Sequence, residues 1–179
     1  MWGISFDAPV GHMSDYLRIL MALLHEGTIS HGGKHITSRG GIDVPADPPP
    51  VLVAALGPQM LKLVGRTADG TVTWMTGPET IRSHIAPVIN NAAEEAERPA
   101  PQVIAAVPVC ITSDTGMAEE YAKRDFGFYG DLPSYRAMLE REGIENSWDI
   151  ALSGSFEEVA EGLQTYADSG GTQVVAAIY

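Results

Sequence analysis

Four short apolar runs, over residues 51–56, 71–75, 103–112 and 174–179, alternate with segments of helical periodicity, and this alternation constrains the fold more than any other feature. Runs of this length bounded by Gly and Pro read as buried strands. A repeated strand–helix–strand order calls for right-handed crossovers, a parallel sheet and helices that cover it. The helix after the first run carries Met60, Leu61, Val64 and Ala68 and ends at Asp69-Gly70. The next places Ile81, Ile85, Val88, Ile89, Ala92 and Ala96 on one face, and its start, Thr76-Gly77-Pro78-Glu79, has the layout of a capping box. A third helical region opens near Asp114-Thr115, breaks at Gly127, Gly130 and Pro133, and resumes over 133–142, which makes this insertion longer than a plain crossover. The last helix starts at Ser155 with Glu158 three residues on, buries Phe156, Val159, Leu163 and Tyr166, and ends at Gly170-Gly171. Two architectures satisfy the pattern: an open doubly wound sheet with helices on both faces, or an arc of a (β/α) barrel with helices outside only. Strand character alone does not choose between them.

Upstream, Met13, Tyr16, Leu17, Leu20, Leu23 and Leu24 fall at helical spacing over 14–26, with Gly27 as the C-terminal cap. Residues 28–50 carry Gly32-Gly33, Gly40-Gly41 and Pro48-Pro49-Pro50 and read as an irregular excursion with room for a short hairpin, held outside the main architecture. Residues 1–179 read as a single domain, a length that buries a sizeable core. With 11 Lys and Arg against 23 Asp and Glu, the net charge of -12 repels nucleic acid and anionic membrane surfaces, so neither is an expected partner. No apolar stretch approaches the roughly 18 residues of a membrane helix. The single cysteine, Cys110, sits in an apolar run as a small core residue. It excludes a disulfide framework and a cysteine metal cluster, and it fits a cytoplasmic setting.

The first run ends in a Gly-Pro pair that opens directly into a helix, Leu56-Gly57-Pro58-Gln59-Met60. First-turn N–H groups lack intrahelical partners, Gly57 lets a ligand approach the backbone, and Pro58 suits the first helical position. The turn is a ready anion site, although the same sequence also serves as an ordinary strand-to-helix connection.

The order Pro50-Val-Leu-Val-Ala-Ala-Leu-Gly-Pro58, Leu63-Val-Gly-Arg-Thr-Ala-Asp-Gly70, Ile150-Ala-Leu-Ser-Gly-Ser-Phe-Glu-Glu-Val159 and Gly170-Gly-Thr-Gln-Val-Val175 resembles the C-terminal half of luciferase-like monooxygenases, more narrowly their deazaflavin (F420) branch. Met13-Ser-Asp-Tyr-Leu-Arg-Ile-Leu-Met-Ala-Leu-Leu24, Gly27 and Gly32-Gly-Lys-His35 resemble the helix and excursion that precede the family's fifth barrel strand. The resemblance implies an α/β fold of TIM-barrel type in which the four runs are strands 5–8 of a (β/α)8 barrel, here an incomplete barrel. It implies hydride transfer to or from C5 of coenzyme F420, or oxygen chemistry on reduced flavin in FMN-dependent relatives, on a small-molecule substrate. It sets Ala54, Ala55, Leu56, Gly57, Pro58 and Gln59 against the cofactor, with Trp74 and Thr76 at the same mouth lining the substrate. Trp74 equally fits a core or interface aromatic.

Four parallel strands leave two unpaired edges, and an arc of barrel exposes side chains meant to fill its interior. Three readings follow: a fragment of a longer enzyme, a truncated protein that forms a homo-oligomer, or an open, flatter sheet. The class competing with an oxidoreductase is a non-catalytic half-barrel that associates with itself or with a longer homologue. His31 and His35 are four apart, but Gly32-Gly33 between them argues against one helical face, so no metal site is expected. His12, His25 and His84 read as solvated residues at helix ends or surfaces, and Glu94, Glu95, Glu97, Glu119 and Glu120 as solvated helix faces. Tyr121, Lys123, Arg124, Phe126, Phe128 and Tyr129 cluster in the long insertion and read either as a wall for substrate or cofactor tail, or as amphipathic packing.

Overall fold

The computed structural model describes residues 7–43 and 47–179. The first helix, α1 (Pro9–Glu26), begins five residues before the expected Ser14, because Ala8 turns the chain at φ 51° and Pro9 supplies a preset first helical residue. Gly27 caps it in the left-handed conformation at φ 73°, as its position after Leu24 predicts. The excursion is a true antiparallel hairpin, β1 (Thr28–Gly32) and β2 (Thr37–Gly41), and its residues 44–46 lie outside the described residues. One carboxylate on α1 holds the hairpin turn. Asp15 Oδ2 accepts the backbone N–H of His35 (2.7 Å) and Ile36 (3.0 Å), and Oδ1 pairs with His31 Nε2 at 3.0 Å. Gly33 permits this approach, since a Cβ there would lie 2.3 Å from the Asp15 carboxylate.

The four predicted runs form one parallel sheet: β3 (Leu52–Ala54), β4 (Gly70–Trp74), β5 (Gln102–Ile111) and β7 (Gln173–Ile178). β3 pairs with β4, β4 with the first half of β5, and β7 with the opposite edge of β5. The strands therefore lie side by side in chain order with no reversal. Helices α2 (Pro58–Thr67), α4 (Ala86–Glu95) and α7 (Phe156–Asp168) contribute Leu61, Val64, Ile89 and Tyr166 to one core against Val53, Val103, Ala105 and Val107. These alternate residues of β3 and β5 all face the helices, as the two-residue strand period requires. Sequential order and a single helical layer are the marks of a barrel arc rather than a doubly wound sheet.

A short strand, β6 (Leu152–Gly154), was not expected from the sequence. Val109 pairs with Ile178 on one side and Leu152 on the other, so β6 takes the edge of β5 that β4 leaves beyond Ala106. Three residues are too few to carry a readable alternation.

The long insertion contains α5 (Thr115–Phe126) and α6 (Pro133–Glu142) joined by a 3-10 turn. Asp114 caps α5 by accepting from Met117 N–H, and Ser155 with Glu158 forms the predicted capping box of α7. The second expected box is not made. Thr76 bonds the Trp74 carbonyl instead, Glu79 pairs with Arg82, and the carboxylate of Glu142, at the end of α6, accepts from the backbone of Glu79 and Thr80. A distant acid thus caps α3 (Pro78–Thr80) and ties the insertion to the barrel helix.

Two side-chain expectations are also corrected. Phe156 is 65% exposed because the first turn of α7 projects beyond the core, whereas Val159 and Tyr166 are buried. Ala96 lies past the helix end and is exposed.

Candidate functional site

The C-terminal ends of β3 and β4 open onto a cavity of about 590 Å³. All six residues of the Ala54-Ala55-Leu56-Gly57-Pro58-Gln59 segment line it. Val72 and Trp74 of β4, and Ser134 and Tyr135 of α6, line it as well, and Met60 of α2 with Pro9 and Val10 of α1 completes the wall.

The turn is built for close approach. Gly57 is the N-cap of α2 with extended backbone (φ −76°, ψ 148°) and offers no side-chain cap, so the first-turn N–H groups of the helix remain available. A Cβ added at Gly57 would meet no atom within 4 Å. Here the glycine leaves space at the cavity wall rather than relieving a contact within the fold. α6 likewise starts without a side-chain cap, at Leu132-Pro133-Ser134, and its Ser134 lines the same cavity. Two uncapped helix starts therefore meet an otherwise apolar and aromatic cavity, a combination suited to a flat ring carrying hydrogen-bond acceptors.

Trp74 is held by the insertion. Its ring meets Phe126 edge-on at 5.9 Å and Tyr129 at 6.3 Å, and Tyr129 meets Tyr135 at 4.8 Å. Burial raises the pKa of the Tyr135 phenol, with a smaller contribution from Tyr129, so near neutral pH it presents an O–H donor at the wall. Met75 follows Trp74 with φ 50° and is wholly buried with Leu139 and Ile150. A non-glycine residue in this conformation is strained, and here the break in alternation sends Met75 into the small core under the insertion while Trp74 lines the cavity. Thr76 is buried, donates to the Trp74 carbonyl at 3.1 Å, and stands outside the cavity lining.

His84 departs most from its expectation as a solvated residue. It is 6% exposed, and its Nε2–H donates to the Leu56 carbonyl at 2.9 Å. The helix carrying it widens to a π turn over Ile81–Ile85 between α3 and α4. An α-helical wheel of this segment does not anticipate that widening.

The aromatic and basic cluster of the insertion divides. Phe126 and Tyr129 pack into the small core, Arg124 closes on its neighbour Asp125 at 2.7 and 2.9 Å and stacks over Tyr121, and Phe128 stays exposed. The insertion instead reaches the cavity through Ser134 and Tyr135, which sequence reasoning missed. The available signal was Pro133, a helix start beside an aromatic. The lining by Pro9 and Val10 had no local signal. Cys110 is half-buried and free. Among the described residues, no group of three or more His, Cys, Asp or Glu converges as metal ligands, and no helix is long and apolar enough to cross a membrane.

Comparison with known proteins agrees with this architecture. An F420-dependent glucose-6-phosphate dehydrogenase of Rhodococcus erythropolis is 24% identical over 184 residues, which cover 92% of this chain and 53% of the dehydrogenase. A 5,10-methylenetetrahydromethanopterin reductase of Methanopyrus kandleri is 27% identical over 162 residues, covering 87% of this chain and 44% of the reductase. Among solved structures, an F420-dependent secondary alcohol dehydrogenase in complex with an F420-acetone adduct superposes with a TM-score of 0.78 at 18% identity, covering 99% of this chain and 59% of that one. The F420-dependent tetrahydromethanopterin reductase of Methanopyrus kandleri gives 0.75 at 24% identity, covering 93% and 57%. The chain thus spans about half the length of the relatives it matches. The family profile described as luciferase-like monooxygenase matches residues 1–173, from α1 to the start of β7, and the chain belongs to that family.

Proposed function

We propose that this chain forms the cofactor-facing C-terminal half of an F420-dependent oxidoreductase, with FMN as the alternative cofactor. The observation that carries the reading is the single cavity that gathers Ala54, Ala55, Leu56, Gly57, Pro58 and Gln59 at the strand ends. The residues fit a deazaflavin: small side chains and an open glycine admit a flat ring, and the uncapped start of α2 offers donors to its oxygen atoms. When bound, F420 supplies a carbon centre that accepts or donates hydride.

The chain's own residues do the rest. The Gly57 turn would let a bound ring approach the backbone, the apolar side chains of Val72 and Trp74 would exclude water from the cavity, and Tyr135 would offer an O–H from the insertion. The small-molecule substrate then enters from the side of Trp74, with Thr76 setting the position of that residue through its carbonyl. A cytoplasmic setting fits the free thiol of Cys110.

Titration of the chain with coenzyme F420, and separately with FMN, followed by cofactor absorbance and fluorescence, tests the reading. Saturable micromolar binding of F420 with weaker FMN binding supports it. Absence of binding by both removes it.

A second reading is favoured by the outer strand β7, whose Val175 is 50% and Ile178 89% exposed beside an unpaired edge. In that reading the chain is a half-barrel that covers its edge with a second copy. Size-exclusion chromatography with light scattering decides it, since a monodisperse, cooperatively unfolding monomer at micromolar concentration excludes the dimer.

A further inference from the structure

We infer that His84 is a positioning residue for the Leu56–Gly57 peptide, and that it acts by turning the Gly57 N–H toward the ligand. The inference rests on the cofactor reading for what the ligand is, and on geometry for the rest. His84 comes from the helix after β4, yet its Nε2–H reaches across to the Leu56 carbonyl at 2.9 Å, on the turn after β3. A carbonyl only accepts, so Nε2 carries the proton and the ring donates. The peptide unit is planar and trans, which sets its C=O and N–H in opposite directions. With the Leu56 oxygen fixed on the buried side by His84, the Gly57 N–H is directed away from the core. It meets no protein acceptor among the described residues, and Gly57 lines the cavity.

His84 lies three residues after Ile81 and next to Ile85, within the π turn over Ile81–Ile85, and is buried together with both. The imidazole is satisfied there by one acceptor, the carbonyl whose orientation decides where the neighbouring donor points. Loss of the ring donor leaves the peptide free to rotate and the Gly57 N–H without a fixed aim.

Three variants test this. His84→Phe keeps the ring and removes the donor. His84→Gln carries an amide nitrogen near the Nε2 position, and His84→Asn places its amide nitrogen nearer Nδ1, short of the carbonyl. The affinity of each for coenzyme F420 is measured by fluorescence titration. In parallel, the Gly57 amide is followed by 15N chemical shift and hydrogen exchange without any ligand. The expected result is a two- to tenfold loss of affinity in His84→Phe and His84→Asn, from roughly one net hydrogen bond. His84→Gln should return to within about twofold of wild type, with the Gly57 amide shifted in the first two variants and restored in the third. A purely structural role would weaken all three in proportion to stability, with no selective rescue. Equal affinities, or a Gly57 amide unmoved in His84→Phe, overturn the inference. If the wild-type chain binds no F420, the cofactor reading fails by itself, and the ligand-free amide measurement still decides the role of His84. If His84→Phe does not fold, the Gln and Asn pair decides it.

Discussion

Substitution of Gly57 separates what the fold needs from what a ligand needs. Its backbone, at φ −76° and ψ 148°, is extended and suits any residue that precedes a proline, and a Cβ there would meet nothing within 4 Å. Gly57→Ala therefore introduces no clash. Reducing the freedom of the unfolded chain stabilises by about 0.4–1 kcal/mol, and replacing glycine by a poorer N-cap residue costs about as much, so the two terms nearly cancel. Urea unfolding should place Gly57→Ala and Gly57→Leu within roughly 0.5 kcal/mol of wild type with unchanged m-values. Binding should respond quite differently. The added side chain occupies space at the cavity wall where the cofactor ring is proposed to lie, and overpacking of a fitted contact costs about 1–3 kcal/mol. That predicts a loss of F420 affinity of roughly 5- to 150-fold, larger for Leu than for Ala. The reasoning is refuted if Gly57→Leu binds F420 as tightly as wild type. It is refuted equally if the substitution unfolds the chain, because the glycine would then serve the fold.

Gly65 gives the opposite outcome: a Cβ there would lie 2.4 Å from the Ile89 carbonyl across the α2–α4 contact, so Gly65→Ala should lower stability despite a helix-propensity gain of about 1 kcal/mol, by a net of roughly 1–2 kcal/mol in urea unfolding. Hydrogen bonds from His35, Ile36 and His31 hold Asp15 at a pKa of about 2, below its ordinary 3.8. A depressed carboxylate contributes stability that is complete above pH 3.8 and lost as pH falls toward 2, so hydrogen exchange of the His35 and Ile36 amides should accelerate over that window. In Asp15→Asn the same amides should exchange faster at neutral pH. Arg124 is engaged by Asp125 away from the cavity, so Arg124→Ala should leave F420 affinity unchanged within twofold; a larger loss would restore it as a cofactor-tail contact.

Much of the architecture was legible because it rests on local pattern. Short apolar runs, Gly27 at a helix end and the Ser155–Glu158 box each act within a few residues, and each is formed. The features that were not legible depend on partners far away in sequence. Glu142 displaces a local capping box 62 residues upstream, the buried ring of His84 finds its acceptor on the Leu56 carbonyl 28 residues upstream, and the π turn gives no signal in an apolar period. The cavity was half legible. The turn from Ala54 to Gln59 announced itself through its glycine and proline, whereas Pro9, Val10, Ser134 and Tyr135 arrive from elements whose packing against it is set by the whole fold.

Chemical-shift mapping of the 15N-labelled chain on addition of coenzyme F420 tests the central claim most directly. The amides of Ala54, Ala55, Leu56, Gly57 and Gln59 and the indole of Trp74 should move together along one saturable isotherm, while Arg98 and Gln102, which line a separate cleft at the opposite strand ends, stay fixed. Saturable shifts centred on that second cleft, with the Gly57 turn unmoved, would contradict it.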